Sequence, residues 1–294
     1  MKGPQQFISI FFSTLIATFL LSPLAMAQVS SFDPKSRNYQ YETVLDSYAV
    51  QSRVNYLNGS TLFVDEDNKV VASKNANYAM EPASTSKLIT ALAFLKYYPA
   101  NTKLPQFRNK TSFQVVKYML DVSDNGLADR LANMVGLNNV QSLARQVTGN
   151  EKINIANGSG CPRGLYGEDC EMQSNRPTTY TTAYDMIAIV KSLETLLVQQ
   201  GTSFEALVGN VLTSGTSGHR RFYEDFVNSK TARVYGKTGT IRSSLSFVGI
   251  MYNQSGKKIY FAMLNTGNHQ TIGDTQGSVL VAAHKGVKRL VKKF

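Results

Sequence analysis

Apolar positions along the chain change period several times, and each change predicts an element. Ser60–Asp65 and Lys69–Ser73 are short β-rich runs on either side of Asp67-Asn68, the pattern of a β-hairpin. Pro82 then breaks the chain. Helix formers run from Ser86 to Tyr97, with Leu88, Leu92 and Leu95 spaced for one buried face. Two further helical patterns cover Gln114–Asp121 and Gly126–Val135. The first carries Val115, Val116, Met119 and Leu120; the second carries Leu127, Leu131, Met134 and Val135. Ala232–Ile241, Ser244–Tyr252 and Lys258–Asn265 read as a three-strand antiparallel meander, the last two separated by Asn253-Gln254-Ser255-Gly256. Val279–Phe294 returns to a helical period, with Val279, Ala283, Val287 and Phe294 on one face and most of its lysines elsewhere. A basic amphipathic helix of this kind can lie on a membrane. Its simpler use is to cover the sheet.

The N-terminal end has another character. Lys2, the apolar stretch Phe7–Leu21 and Ala25-Met26-Ala27 form a secretory signal peptide over residues 1–27. No second long apolar segment follows, so no transmembrane anchor is expected after signal cleavage. In an exported protein, the two cysteines predict a disulfide between Cys161 and Cys170. The expected location is the periplasm, or outside the cell.

The balance is basic, with 31 Lys and Arg against 20 Asp and Glu. Export turns this away from nucleic acid and toward anionic wall polymer or a membrane surface. His219, His269 and His284 are scattered and lack metal-ligand spacing. There is no Walker-type phosphate loop. No metal and no cofactor is expected.

Candidate chemistry lies in three short motifs in fixed order: Ser84-Thr85-Ser86-Lys87, Ser123-Asp124-Asn125 and Lys237-Thr238-Gly239. Singly they are common; Ser255-Gly256-Lys257-Lys258 also satisfies S-x-x-K. Their placement carries the signal. Ser84 falls at a predicted helix N-terminus, with Lys87 one turn on and on the same side. The positive end of the helix favours an oxyanion beside Ser84. The same field and partial burial favour a neutral Lys87 able to take the serine proton. Ser123-Asp124-Asn125 occupies the turn between two helices, where serine and aspartate also serve as ordinary caps. Lys237 and Gly239 alternate onto one strand face, and a glycine inside a strand marks close backbone approach. Thr238 points away in an ideal strand, so its use requires a local twist.

This ordered set resembles the low-molecular-mass penicillin-binding proteins, specifically their D-alanyl-D-alanine carboxypeptidase/endopeptidase branch; the same three motifs are shared with class A β-lactamases. Glu81–Leu88, Asn157-Gly158-Ser159-Gly160 with Asn175-Arg176-Pro177-Thr178, Leu212–Phe222, Ser244–Gly249 and Phe261–Asn265 carry the likeness over most of residues 55–290. Two departures stand out. Ser84 and Ser123 lie too close in sequence for the domains that larger members insert there. Residues Cys161–Cys170 form an insertion with no counterpart.

The resemblance implies an α/β (α+β) architecture, the penicillin-binding transpeptidase or serine β-lactamase-like fold: an antiparallel sheet covered by helices beside a mostly helical lobe. Residues 28–294 form one catalytic domain, with a sheet lobe over about 28–97 and 205–294 and a helical lobe over about 98–204. It also implies roles. Ser84 attacks a D-Ala-D-Xaa carbonyl in peptidoglycan with Lys87 as base. Ser123, assisted by Lys237, relays a proton to the leaving amine. Asn125 binds the substrate backbone, Thr238 and Lys237 bind the terminal carboxylate, and the Ser84 and Thr240 N–H groups form the oxyanion hole beside Gly239. Stem peptides and cross-links are the implied partners, with β-lactams as acylating inhibitors.

Two alternatives belong to other classes. A serine β-lactamase needs a further deacylating base, and Glu171-Met172-Gln173-Ser174-Asn175 only partly matches the E-x-x-L-N of class A enzymes. A non-catalytic wall-binding or β-lactam-sensing module would not need Ser84, Lys87, Ser123 and Lys237 together.

Overall fold

The computed structural model describes residues 59–161, 179–209, 233–241, 244–252 and 257–264. The signal-peptide segment, Cys170, Glu171–Asn175, the three histidines and the C-terminal amphipathic stretch lie outside the described residues.

Five antiparallel strands form one sheet, in the order β2-β1-β7-β6-β5. β1 (Ser60–Asp65) and β2 (Val70–Lys74) are the expected hairpin. Its turn holds Asn68 at φ 64°, a left-handed conformation that asparagine tolerates. β5 (Arg233–Ile241), β6 (Ser244–Tyr252) and β7 (Lys258–Leu264) are the expected meander. The early hairpin joins the late meander where β1 pairs with β7, Phe63 opposite Phe261.

Helix α1 (Lys87–Tyr97) departs from the one-faced helix its leucine spacing predicts. Every residue from Lys87 to Leu95 is buried. Ala91 and Ala93, small and apolar, fill the positions between the leucines, so neighbours approach from all sides. It packs against α2 (Ser112–Asp121), α3 (Asn125–Val135), α4 (Leu137–Thr148) and α5 (Ala183–Gln199). α2 opens with a capping box: the Thr111 hydroxyl accepts from Gln114 N, and the Gln114 side chain accepts from Thr111 N at 2.9 Å. α4 runs from Gly136 to a left-handed Gly149.

α5 has a double role. Thr182 and Asp185 box its N-terminus, and almost all of its first half is buried. It touches α1 on one side and β7, β1 and β6 on the other. A helix from inside the segment assigned to the helical lobe therefore covers one face of the sheet. A short α6 (Phe204–Val208) connects α2 to β5.

Ladder register sorts the strand residues into two faces. Lys237, Val248, Ala262 and Leu62 share the face turned to α5 and to the Ala83–Ser86 turn. Thr238, Phe247, Met263 and Thr61 share the other. That second face is also apolar and buried, with the Phe247 and Phe261 rings 4.7 Å apart and Phe63 stacked on Phe261 at 6.2 Å.

Candidate active site

The site is a seam where three backbones meet. A single 3-10 turn, Ala83–Ser86, leads directly into α1. Ala83 takes a left-handed φ of 51°, unusual for a residue with a side chain, and this turns Ser84 out of the entering chain. Thr85 fixes the turn by donating its hydroxyl to Pro82 O at 2.6 Å. Ser84 does not cap the helix as serine ordinarily would. Its hydroxyl instead accepts from Lys87 Nζ at 2.8 Å.

Lys87 is completely buried. Its ammonium also donates to Asn125 Oδ1 at 2.6 Å and to Ser159 O at 3.4 Å. Burial, and next the charge of Lys237, lower its pKa to about 7, while Asp129 and Asp124 pull the other way. The direction agrees with the sequence reading, but the cause differs. Full burial and a second lysine do most of what was ascribed to the helix field and partial burial.

Ser123 stands in the turn between α2 and α3 at a left-handed φ of 56°. Asp124 is the cap of α3, accepting from Leu127 N at 2.9 Å, so the ordinary use of this triplet falls on its middle residue. Asn125, first in α3, is the member that reaches the lysine. Among the described residues, the Ser123 hydroxyl bonds neither lysine.

Lys237 is 6% exposed and donates to Thr238 O at 2.8 Å. Burial lowers its pKa to about 8, against the attraction of Asp121. Gly239 shows why the strand needs a glycine. A Cβ there would lie 2.8 Å from Pro82 O, 2.9 Å from Ser84 N and 3.0 Å from Ala83 Cβ. The strand thus runs against the Ala83–Ser86 turn, and Thr240 follows immediately. The ladder from Arg233 to Ile241 is unbroken. No bulge supplies the twist expected for Thr238, which shares its face with Phe247, opposite to Lys237 and Gly239.

Sequence reasoning missed two residues. Asp129, one turn beyond Asn125 on α3, accepts from Ser159 N at 3.0 Å. Thr90, one turn beyond Lys87 on α1, donates to Gly158 O at 2.7 Å. Both sit at helical spacing from a motif residue, which is the signal that points to them. Among the described residues, no group of three His, Cys, Asp or Glu side chains is arranged to hold a metal. Cys161 is buried, and its expected partner Cys170 lies outside the described residues.

A buried lysine donating to a serine beside close-packed backbone, on this sheet and central helix, defines the serine β-lactamase and penicillin-binding fold. A family model described as "Beta-lactamase enzyme family" matches residues 97–283. That is more than half of the chain, and the chain belongs to this family of enzymes. The matched span includes Ser123 and Lys237 and begins after Lys87. No curated protein sequence matches the chain.

Solved structures repeat the fold at low identity. A predatory endopeptidase of Bdellovibrio bacteriovorus, solved with an immunity protein, is 13% identical over 81% of this chain and 94% of its own, with a TM-score of 0.64. A penicillin G-acylated predatory endopeptidase of the same organism is 14% identical over 81% and 93%, with a TM-score of 0.61. The TLA-3 extended-spectrum β-lactamase is 18% identical over 84% and 100%, with a TM-score of 0.60.

Proposed function

We propose that the protein is a serine DD-peptidase that cleaves D-Ala-D-Xaa bonds in peptidoglycan as both carboxypeptidase and endopeptidase. The observation that carries the reading is the 2.8 Å contact of a fully buried Lys87 Nζ with Ser84 Oγ. A lysine lowered to about pH 7 holds a large neutral fraction at physiological pH. Lys87 takes the Ser84 proton as Oγ bonds the peptide carbonyl. The Ser84 and Thr240 N–H groups face the developing oxyanion across Gly239. Ser123 relays that proton from Lys87 to the departing amine as the C–N bond breaks; water then adds to the acyl carbonyl, the ester bond to Ser84 breaks, and the water's proton returns to the Ser84 oxygen. Asn125, already bound to Lys87 through Oδ1, orients the lysine and the substrate backbone. Lys237 exchanges its Thr238 carbonyl for the substrate carboxylate, while the Thr238 side chain, on the opposite strand face, takes no part in holding it.

The penicillin-acylated Bdellovibrio endopeptidase supports both the peptidase assignment and acylation by β-lactams. A second reading, a β-lactamase, draws on the family description and on the TLA-3 fold. Export to the periplasm with removal of residues 1–27, and a Cys161–Cys170 disulfide, complete the proposal.

The test is to incubate the protein with purified muropeptides and, separately, with benzylpenicillin. Release of D-Ala or opening of cross-links, with a long-lived penicilloyl adduct on Ser84, is the expected result. Rapid penicillin turnover with muropeptides untouched would establish the β-lactamase instead.

A further inference from the structure

Segment Asn157–Cys161 threads between α3 and the nucleophile turn with no slack. A Cβ on Gly158 would lie 2.3 Å from Ala128 O, and one on Gly160 would lie 2.3 Å from both Ala83 O and Ser86 Oγ. Gly160 also takes a φ of 74°, so neither its space nor its backbone admits a side chain. Side chains grip the segment along its length. Thr90 holds Gly158 O at 2.7 Å, Asn157 Oδ1 accepts from Gly160 N at 2.7 Å, and Asp129 Oδ1 accepts from Ser159 N at 3.0 Å. The carbonyl of that same Ser159 accepts from Lys87 Nζ at 3.4 Å. Ser159 is therefore a bridge, its N–H on a carboxylate and its C=O on the lysine.

We propose that Asp129 is a positioning residue for the Ser84–Lys87 pair, holding the Ser159 carbonyl against the lysine and placing a fixed negative charge behind it. It does not touch Ser84 and is no base. The proposal rests on the reading of Lys87 as a buried lysine serving Ser84. The charged groups acting on Lys87 are Lys237 from β5 and Asp124 and Asp129 from α3. Asp124 is committed to its cap on Leu127 N, whereas Asp129 is tied to the bridge. Burial raises the Asp129 carboxyl above its ordinary range, while hydrogen bonds from Ser159 and Gly158 and the charge of Lys87 hold it down. The carboxylate and the ammonium stabilise each other's charged forms.

Asp129→Asn keeps an acceptor for Ser159 N and removes the charge, whereas Asp129→Ala removes both. Lys87 is followed directly by ¹³Cε NMR across pH in protein carrying labelled lysine, with Lys87→Met identifying the resonance. In Asp129→Asn the Lys87 titration is expected to fall by about one unit at an unchanged melting temperature. The acidic limb of the rate of penicillin acylation should move to lower pH with it. In Asp129→Ala the Ser159 amide should in addition lose protection from hydrogen exchange. A purely architectural aspartate would lower the melting temperature and leave the titration in place, and that result overturns the proposal. Should Asp129→Ala fail to fold, Asp129→Asn decides alone. If wild-type Lys87 titrates as an ordinary lysine, the base assignment falls; the shift between wild type and Asp129→Asn still judges Asp129.

Discussion

At the scale of single residues, the proposed chemistry turns on two lysines in one buried seam. Lys87 loses its proton near pH 7 and Lys237 near pH 8. If Lys87 acts neutral and Lys237 acts charged, acylation rises through the first value and declines through the second. A narrow bell between about pH 7 and 8 is the expected profile for the second-order rate of penicillin labelling. A profile that keeps climbing past the upper value would remove Lys237⁺ from the mechanism. Ser84→Ala should abolish labelling by a fluorescent penicillin and muropeptide cleavage alike. Lys87→Arg keeps a cation and most of the fold but cannot act as a base, because a guanidinium stays protonated in proteins; acylation should drop by at least about a hundredfold. Labelling of the alanine variant at the normal rate would move the nucleophile to Ser123.

At the scale of elements, the site depends on backbones that approach too closely for side chains. Gly160→Ala should cost roughly 2–4 kcal/mol, because it places a Cβ into Ala83 O and strains a left-handed backbone. Gly239→Ala should be milder in stability and severe in acylation, since its nearest contacts are Pro82 O and Ser84 N, beside the proposed nucleophile. Urea melts and labelling rates on the same two proteins separate these effects; equal losses in both quantities would refute the distinction. How much could be read beforehand follows from the same contacts. The hairpin, the meander and α1 to α3 were legible, because period and turn residues are local signals. The all-round burial of α1 was not, because leucine spacing records one face while alanines pack silently on the others. Asn157–Gly160 is legible only as a resemblance, since its grip on α1 and α3 comes from residues far apart in sequence. Thr238 shows the limit most clearly: alternation placed it on the far face, and the unbroken ladder keeps it there.

At the scale of the molecule, Ser84 and Ser123 are too near in sequence to enclose an extra domain, and the short β3 (Lys103–Leu104) and β4 (Lys110–Thr111) occupy part of that stretch. The cleft on that side should admit two stems joined by a cross-link, so cross-linked muropeptide dimers are expected to be cut at rates within about tenfold of monomeric pentapeptide. D-Ala release from the monomer with dimers left intact would refute an open cleft. The burial of Lys87 reaches further still, into the folding equilibrium itself. Its folded pKa lies near 7 against an ordinary 10.5, so unfolding between those values takes up a proton. Uptake on unfolding means that stability climbs as pH rises across this window, by on the order of a few kcal/mol from this one side chain. Lys237 adds to the same slope from about 8 upward. Below pH 7 the protein carries the full cost of burying a charged ammonium. Lys87→Met should therefore melt higher than wild type at neutral pH, and the advantage should shrink as both are titrated toward pH 10. On the proposed mechanism, the protein gives up fold stability at neutral pH to keep its lysine reactive.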